Sequence, residues 1–332
     1  MDQPTRRSQL NAVKLRALVR EHLGVDDSGL PADAGQFGGG AALLTGTAPG
    51  GTVAWVLLDE RPERGLGAAL AWALRRDAVE LHVVADQSTG TLARRAKGFA
   101  YPISVWHVEG RNLLPAVAEP LPMVPSVPAE HEIWTEAIVA GGALPVIEHG
   151  VLAGEVQGLE VCRVVTDSYT DEVRLEVGVG AHDREAFQML HGNRPTTEAL
   201  ADVVDAVSAH RQLGAPRHPL NMLAQERALR ARLAAAPQLV GATSVVAMEP
   251  PIPRPNVKDP IPCVAVATVD GRSVAVVCSS GVDLDVMPYA IDARNALAMD
   301  DCVVVLPARD ALDVQRRLAR LASPPLTVLT VD

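Results

Sequence analysis

Hydrophobic positions along the chain recur with two periods, and the switches between them mark its elements. From Leu10 to Leu23 apolar side chains fall at 10, 13, 15, 18, 19 and 23, close to helical spacing, with Gly24 as a stop. After a Gly-rich passage come two short apolar runs, Ala41 to Thr45 and Thr52 to Leu58, joined by the turn-rich Ala-Pro-Gly-Gly at 48–51; they read as a hairpin. Gly65 to Arg76 is a helix of small residues carrying Leu66, Leu70, Trp72 and Leu74. Glu80 to Ala85 is a buried strand, Leu92 to Phe99 a helix and Ile103 to Val108 another strand. Prolines at 115, 120, 122, 125 and 128 then exclude helix or central strand and set a first boundary.

Ile133 to Gly141 predicts a short helix, and two strands within 158–167 and 171–180 flank a turn at Ser168 to Thr170. In the second strand Val173, Leu175, Val177 and Val179 alternate with Arg174 and Glu176, so one face is buried and the other wet. Helices follow over His182 to His191 and Thr197 to His210, the latter behind Pro195 and the potential cap Thr196. The Gly-Ala-Pro-Arg-His-Pro stretch at 214–219 is a second boundary. Next comes an amphipathic helix, Leu220 to Ala234, and the strands Ala242 to Met248, Cys263 to Val269 and Ser273 to Cys278. A long Pro-rich loop separates the first two strands, and Asp270-Gly271 makes a tight turn between the others. Helix Met287 to Leu297, strand Cys302 to Leu306, helix Ala311 to Leu321 and strand Leu326 to Val331 complete the pattern.

The two ends share one order: helix, hairpin strands, helix, strand, helix, strand. Leu81 follows Ala54 by 27 residues and Cys302 follows Ala275 by 27, so the spacing agrees as well. The expected fold class is α/β, with two related mixed-sheet α/β modules (an internal duplication) at 1–125 and 216–332 flanking a smaller α+β module at 126–215, a β-hairpin plus two helices.

Composition narrows the function classes. With 48% hydrophobic and 21% charged residues the chain is not a disordered one. Its net charge of −10 repels polyanions unless a local basic patch intervenes. No run of about twenty apolar residues is present, and the N-terminus lacks the apolar core of a signal peptide, so a cytoplasmic protein without membrane contact is expected. Cys162, Cys263, Cys278 and Cys302 are far apart and mostly within apolar runs, which predicts buried free thiols.

The final module, read as α-β-β-β-α-β followed by α-β, resembles by element order the restriction-endonuclease-like fold of the PD-(D/E)XK nucleases. The resemblance covers about Leu220 to Val331 and, more faintly, Leu10 to Val108. It implies a helix acid, an Asp opening the second strand and an E-x-K on the third, gathered around Mg²⁺ or Mn²⁺. Glu226 matches the helix acid and Asp259 the strand Asp, but Val276 and Cys278, or Ala275 and Val277, stand where E-x-K is required. The N-terminal copy has Glu21 on its helix and no E-x-K on the strand Val53 to Leu58. The resemblance therefore implies a catalytically degenerate scaffold.

Other residues are candidates for chemistry. In the middle module Glu155, Glu160, Glu176, Asp183 and Glu185, with His182 and His191, can converge as metal ligands or as an acid/base pair, Glu160, Glu176 and Asp183 being the metal candidates. Alternatively Glu176 pairs with Arg163 across the strands, and Asp183 and Glu185 complement a helix dipole. Arg94, Arg95 and Lys97 form a basic helix end suited to phosphate. Arg227, Arg230 and Arg232, or Arg316, Arg317 and Arg320, form stripes suited to nucleic acid, or else ordinary solvated faces. After equivalent strands in the two repeats stand Asp59 with Glu60 and Asp283 with Asp285, which can bind a cation or cap the following helix.

The function expected is a non-catalytic binding or assembly protein with no cofactor, engaging a protein partner or its own copy rather than nucleic acid. The alternative is a divergent metal-dependent nuclease or phosphodiesterase using Glu226, Asp259 and Asp283 with a divalent cation.

Overall fold

The computed structural model describes residues 3–26, 30, 37–48, 51–191, 196–211, 218–254, 256 and 258–332. Most of the Gly-rich passage, the hairpin tip Pro49-Gly50, Pro195, residues 214–217 of the second boundary and the side chain of His191 lie outside that description.

The N-terminal section runs α1 (Gln3–Leu23), β1 (Gly40–Ala48), β2 (Gly51–Leu58), α2 (Leu66–Leu74), β3 (Glu80–Ala85), α3 (Thr89–Ala96), β4 (Ile103–Glu109) and β5 (Asn112–Pro115). Its sheet has the order β1-β2-β3-β4-β5. On α1 the buried stripe is Leu15, Leu18 and Val19, packed on Ala41, Leu43, Trp55 and Leu57. Leu10 and Val13 are exposed because 100° per residue carries them to the opposite side of the helix. Each fully buried Leu contributes about 1.5–3 kcal/mol. Beside this core Trp55 stacks on His82, and the Trp106 Nε1–H donates to His82 Nδ1 at 2.8 Å.

The C-terminal section runs α8 (Gln225–Ala235), β10 (Ser244–Met248), β11 (Cys263–Val269), β12 (Arg272–Cys278), α9 (Val286–Ala296), β13 (Cys302–Pro307), α10 (Asp313–Leu321) and β14 (Thr327–Val331). Its sheet has the order β10-β11-β12-β13-β14. Thus β1 to β4 correspond to β11 to β14, and each sheet adds a fifth strand at a different edge. The parallel registers agree as well: Ala54 pairs with Leu81 and Ala275 with Cys302, the positions that the 27-residue spacing matched. The Asp270-Gly271 turn has φ of +49° and +74°, as a two-residue hairpin of matching twist requires. All four cysteines are buried free thiols.

Between them lie α4 (Ala129–Glu132), α5 (Thr135–Ala140), β6 (Leu144–Glu148), β7 (Val151–Val156), β8 (Leu159–Thr166), β9 (Val173–Val177), α6 (Ala181–His191) and α7 (Thr196–His210). The two strands read from alternation are β8 and β9. They belong to a four-stranded antiparallel sheet, β6-β7-β8-β9, whose first half is punctuated by Pro145 and Gly150. Pro145 is tolerated because β6 is an edge strand. One face of this sheet buries Leu152, Val161, Val164 and Leu175 against Ile138 of α5 and Leu200, Val204 and Val207 of α7.

By packing, the chain divides into two compact units. The first holds residues 1–121, 282–295 and 311–328, and the second holds residues 122–281, 296–310 and 329–332. The C-terminal section thus contributes to both.

Candidate functional site

The second face of the middle sheet is where charged groups meet. A β-bulge creates the arrangement: β7 and β8 pair Ala153 with Arg163 and Gly154 with Cys162, but then Glu155 with Glu160, so Val161 is the extra residue. Strict alternation would send Glu160 and Arg163 to opposite faces; the bulge brings them to one. Arg163 then grips Glu160 with two bonds, Nε–Oε1 at 2.7 Å and an NH2 donor to Oε2 at 2.9 Å. Gly154 is required at the bulge, since a Cβ there would lie 2.5 Å from Cys162 Sγ.

Arg184, on the first turn of α6, closes the network from above, donating to Glu160 Oε1 at 3.0 Å and lying 3.6 Å from Glu176 Oε2. The register does place Arg163 opposite Glu176, and this face is half-buried rather than wet because α6 covers it. Asp183 turns back to accept from the Val179 N–H at 2.7 Å. Glu160 and Glu176 are therefore brought together around Arg184, while Asp183 is occupied by backbone. Among the described residues no group of three or more His, Cys, Asp or Glu side chains is arranged to hold a metal ion.

A second network stands beside the first. Arg230, only 2% exposed, reaches Glu148 Oε1 at 2.6 Å and both oxygens of Glu155 at 3.1 Å, while Arg227 bonds the other oxygen of Glu148. The stripe read at Arg227, Arg230 and Arg232 is thus turned inward at its first two members, because carboxylates from β6 and β7 meet them at helical spacing. Gly158 permits this: its φ is +77° and a Cβ would fall 2.2 Å from the Arg227 backbone.

These two networks form the walls of a cavity of about 720 Å³. Apolar surface comes from Val146, Val151, Ala153 and Val179, and the remaining rim from the Pro-rich loop after β10, with Arg254 and Lys258. Burial pushes the pKa of Arg184 and Arg254 down, while Glu160 and Glu155 respectively pull them back up. His149 lies on the rim with Nδ1 2.8 Å from Glu249. Arg254 and Lys258 gave no periodic or motif signal in the sequence; the only cue was a long loop rich in proline.

The other candidate residues have internal partners. Asp59 accepts from Arg7 Nε (2.7 Å) and Asn11 Nδ2 (2.8 Å), which hold its carboxyl below its usual pKa, and Glu60 pairs with the same Arg7 at 2.9 Å. These acids therefore fasten α1 and do not cap α2, whose N-cap is Gly65 without a side-chain bond. Asp283 accepts from Arg64 at 2.7 Å and from the Asp285 N–H at 2.9 Å. Asp285 accepts from the Gly67 N–H at 3.0 Å and so caps the helix of the other repeat instead of its own.

Arg94 and Arg95 converge on the fully buried Asp292, Arg94 with two bonds at 3.0 and 3.1 Å and Arg95 at 2.7 Å, so the expected phosphate contact at that helix end is left to the exposed Lys97. Arg316, Arg317 and Arg320 remain exposed on α10. Glu226 is buried on α8, where its carbonyl lies 3.2 Å from Cys263 Sγ, and Asp259 sits in the Pro-rich loop with its backbone N–H bonded to Asn256. Val276 and Cys278 are core residues, as are Ala275 and Val277. No helix among the described residues is long and apolar enough to cross a membrane. The chain matches no protein-family model, no curated protein and no solved structure.

Proposed function

We propose that the protein is a non-catalytic cytoplasmic binding or assembly component, built on a duplicated scaffold that resembles a nuclease-like fold in element order. The observation that carries this reading is the middle-sheet cavity. Its three glutamates are held by Arg163, Arg184, Arg227 and Arg230, so much of its shape and charge is set before any ligand arrives, which is how binding sites limit their ordering cost. A protein partner or a second copy is favoured over nucleic acid by the net charge of −10 and by the exposed apolar side chains Leu144 and Ile147 on β6, an edge strand of the kind that other chains cover.

The test is direct. Labelled DNA and RNA incubated with stoichiometric protein and Mg²⁺ or Mn²⁺ will stay intact. Metal-dependent cleavage that disappears in Asp259→Ala would overturn the reading in favour of a divergent nuclease or phosphodiesterase using Glu226, Asp259 and Asp283.

A further inference from the structure

The cavity wall carries more positive charge than its own carboxylates neutralise. Among the lining residues Arg163, Arg184, Arg227, Arg254 and Lys258 stand against Glu148, Glu155, Glu160 and Asp183, five cations to four anions, and Arg230 behind the wall serves Glu148 and Glu155. The surplus is localised. Arg163, Arg184, Arg227 and Arg230 are each bonded to Glu148, Glu155 or Glu160. Among the described residues no carboxylate is seen within ion-pair distance of Arg254 or Lys258, although Arg254 is half-buried and Glu155, Glu160 and Glu226 attract it from farther off. A desolvated guanidinium without a counter-anion is costly unless something supplies one.

The loop that presents these cations is rich in proline. Pro250, Pro251, Pro253, Pro260 and Pro262 restrict its backbone. Asn256 accepts from the Lys258 N–H at 2.9 Å, and its carbonyl accepts from the Asp259 N–H at 3.0 Å, closing a turn. Ala181 and His182, in the first turn of the eleven-residue α6, line the same cavity. Asp183, the acid of that turn, is already bonded to Val179.

We propose that this cavity binds a small organic phosphomonoester, with Arg254 and Lys258 as the charge partners of its dianionic head. Two uncommitted cations match two negative charges, and a guanidinium fork with an ammonium is a combination that phosphate oxygens satisfy. The head fills only a fraction of 720 Å³, so the apolar wall of Val146, Val151 and Ala153 receives the rest of the molecule. The assignment rests on the binding role proposed above.

The experiment is calorimetric titration of the full chain, at constant ionic strength, with inorganic phosphate, phenyl phosphate and acetate. Phenyl phosphate is expected to bind more tightly than inorganic phosphate, and acetate more weakly than both. Arg254→Met with Lys258→Met should weaken the two phosphates about tenfold or more, with an unchanged circular dichroism spectrum. Arg272→Met, at the exposed first residue of β12, serves as the control and should bind as the wild type does. Equal binding of acetate and phosphate, or equal phosphate binding by the folded double variant and the wild type, would overturn the proposal. Phenyl phosphate binding no tighter than inorganic phosphate would overturn the organic part of it. None of these results bears on cleavage of nucleic acid, so failure here and failure of the non-catalytic reading are told apart by separate assays.

Discussion

Asp285→Asn should stabilise the protein, and should do so only at high pH. The carboxyl is 7% exposed, and burial, reinforced by the neighbouring Asp283, pushes its pKa from 3.8 to about 7 despite the bond from the Gly67 N–H. A raised acid pKa means that the folded state holds a proton the unfolded state has released. The contribution is therefore fully present below pH 3.8 and lost as pH rises through 7. At 1.36 kcal/mol for each pH unit between those values, the wild type forfeits about 4 kcal/mol by pH 8. Asparagine never ionises, and its Oδ1 can still accept from Gly67, so the variant should match the wild type at pH 4 and exceed it by about 2–4 kcal/mol at pH 8. Urea unfolding followed by circular dichroism across that range measures the difference. A loss at pH 8 would show that Arg95 and Arg64 keep the carboxylate ionised and that the cap of α2 depends on its charge, and a gain constant with pH would show that folding does not raise its pKa.

Two further predictions concern buried charge and buried imidazole. Arg230→Met should cost about 3–5 kcal/mol, because it leaves Glu148 and Glu155 to Arg227 alone, and Arg230→Lys should recover only part of this since an ammonium lacks the fork; a urea midpoint within error of the wild type would refute the network's role. His82, whose pKa burial lowers to about 4, contributes stability that is present above pH 6.5 and lost as pH falls toward 4, so its imidazole NMR signal should titrate near 4 and not near 6.5. Because this slope opposes that of Asp285 between pH 4 and 6.5, the wild type should show a flatter stability profile there than either Asp285→Asn or His82→Gln.

The repeat could be read from the sequence because its signals are local. Strand, turn and helix periods each span a few residues, and the 27-residue interval preserved even the register of Ala54 with Leu81 and Ala275 with Cys302. Charge pairing was harder to read because its partners are distant. Arg230 and Glu155 are 75 residues apart and Arg95 and Asp292 are 197 apart, so helices that looked solvated on their basic side are pinned there by acids from other elements. The middle sheet was half hidden for another reason. Residues 142–157 carry no predicted element; Pro145 and the left-handed pairs His149-Gly150 and Gln157-Gly158 interrupt that stretch, and in the fold they are an edge residue and two tight hairpin turns. The bulge at Val161 is invisible to alternation, and it is what places Glu160 and Arg163 on one face.

The acids of the two repeats also explain why the proposed ligand site falls in the second unit, on the middle sheet and the Pro-rich loop after β10, and not in the first. Asp59, Glu60, Asp283 and Asp292 each hold an arginine, and Asp285 holds a helix N-terminus, so in the first unit these carboxylates act as fasteners. In the second unit the same kind of pairing stops short at Arg254 and Lys258. A chain of net charge −10 repels an approaching anion at long range, but that field is screened beyond about 10 Å at ordinary ionic strength. Inside that distance the wall's own surplus decides. Selectivity for a compact dianion over a polyanion follows, because a long nucleic acid would meet the acidic exterior as well as the basic recess, whereas a small phosphomonoester meets only the recess.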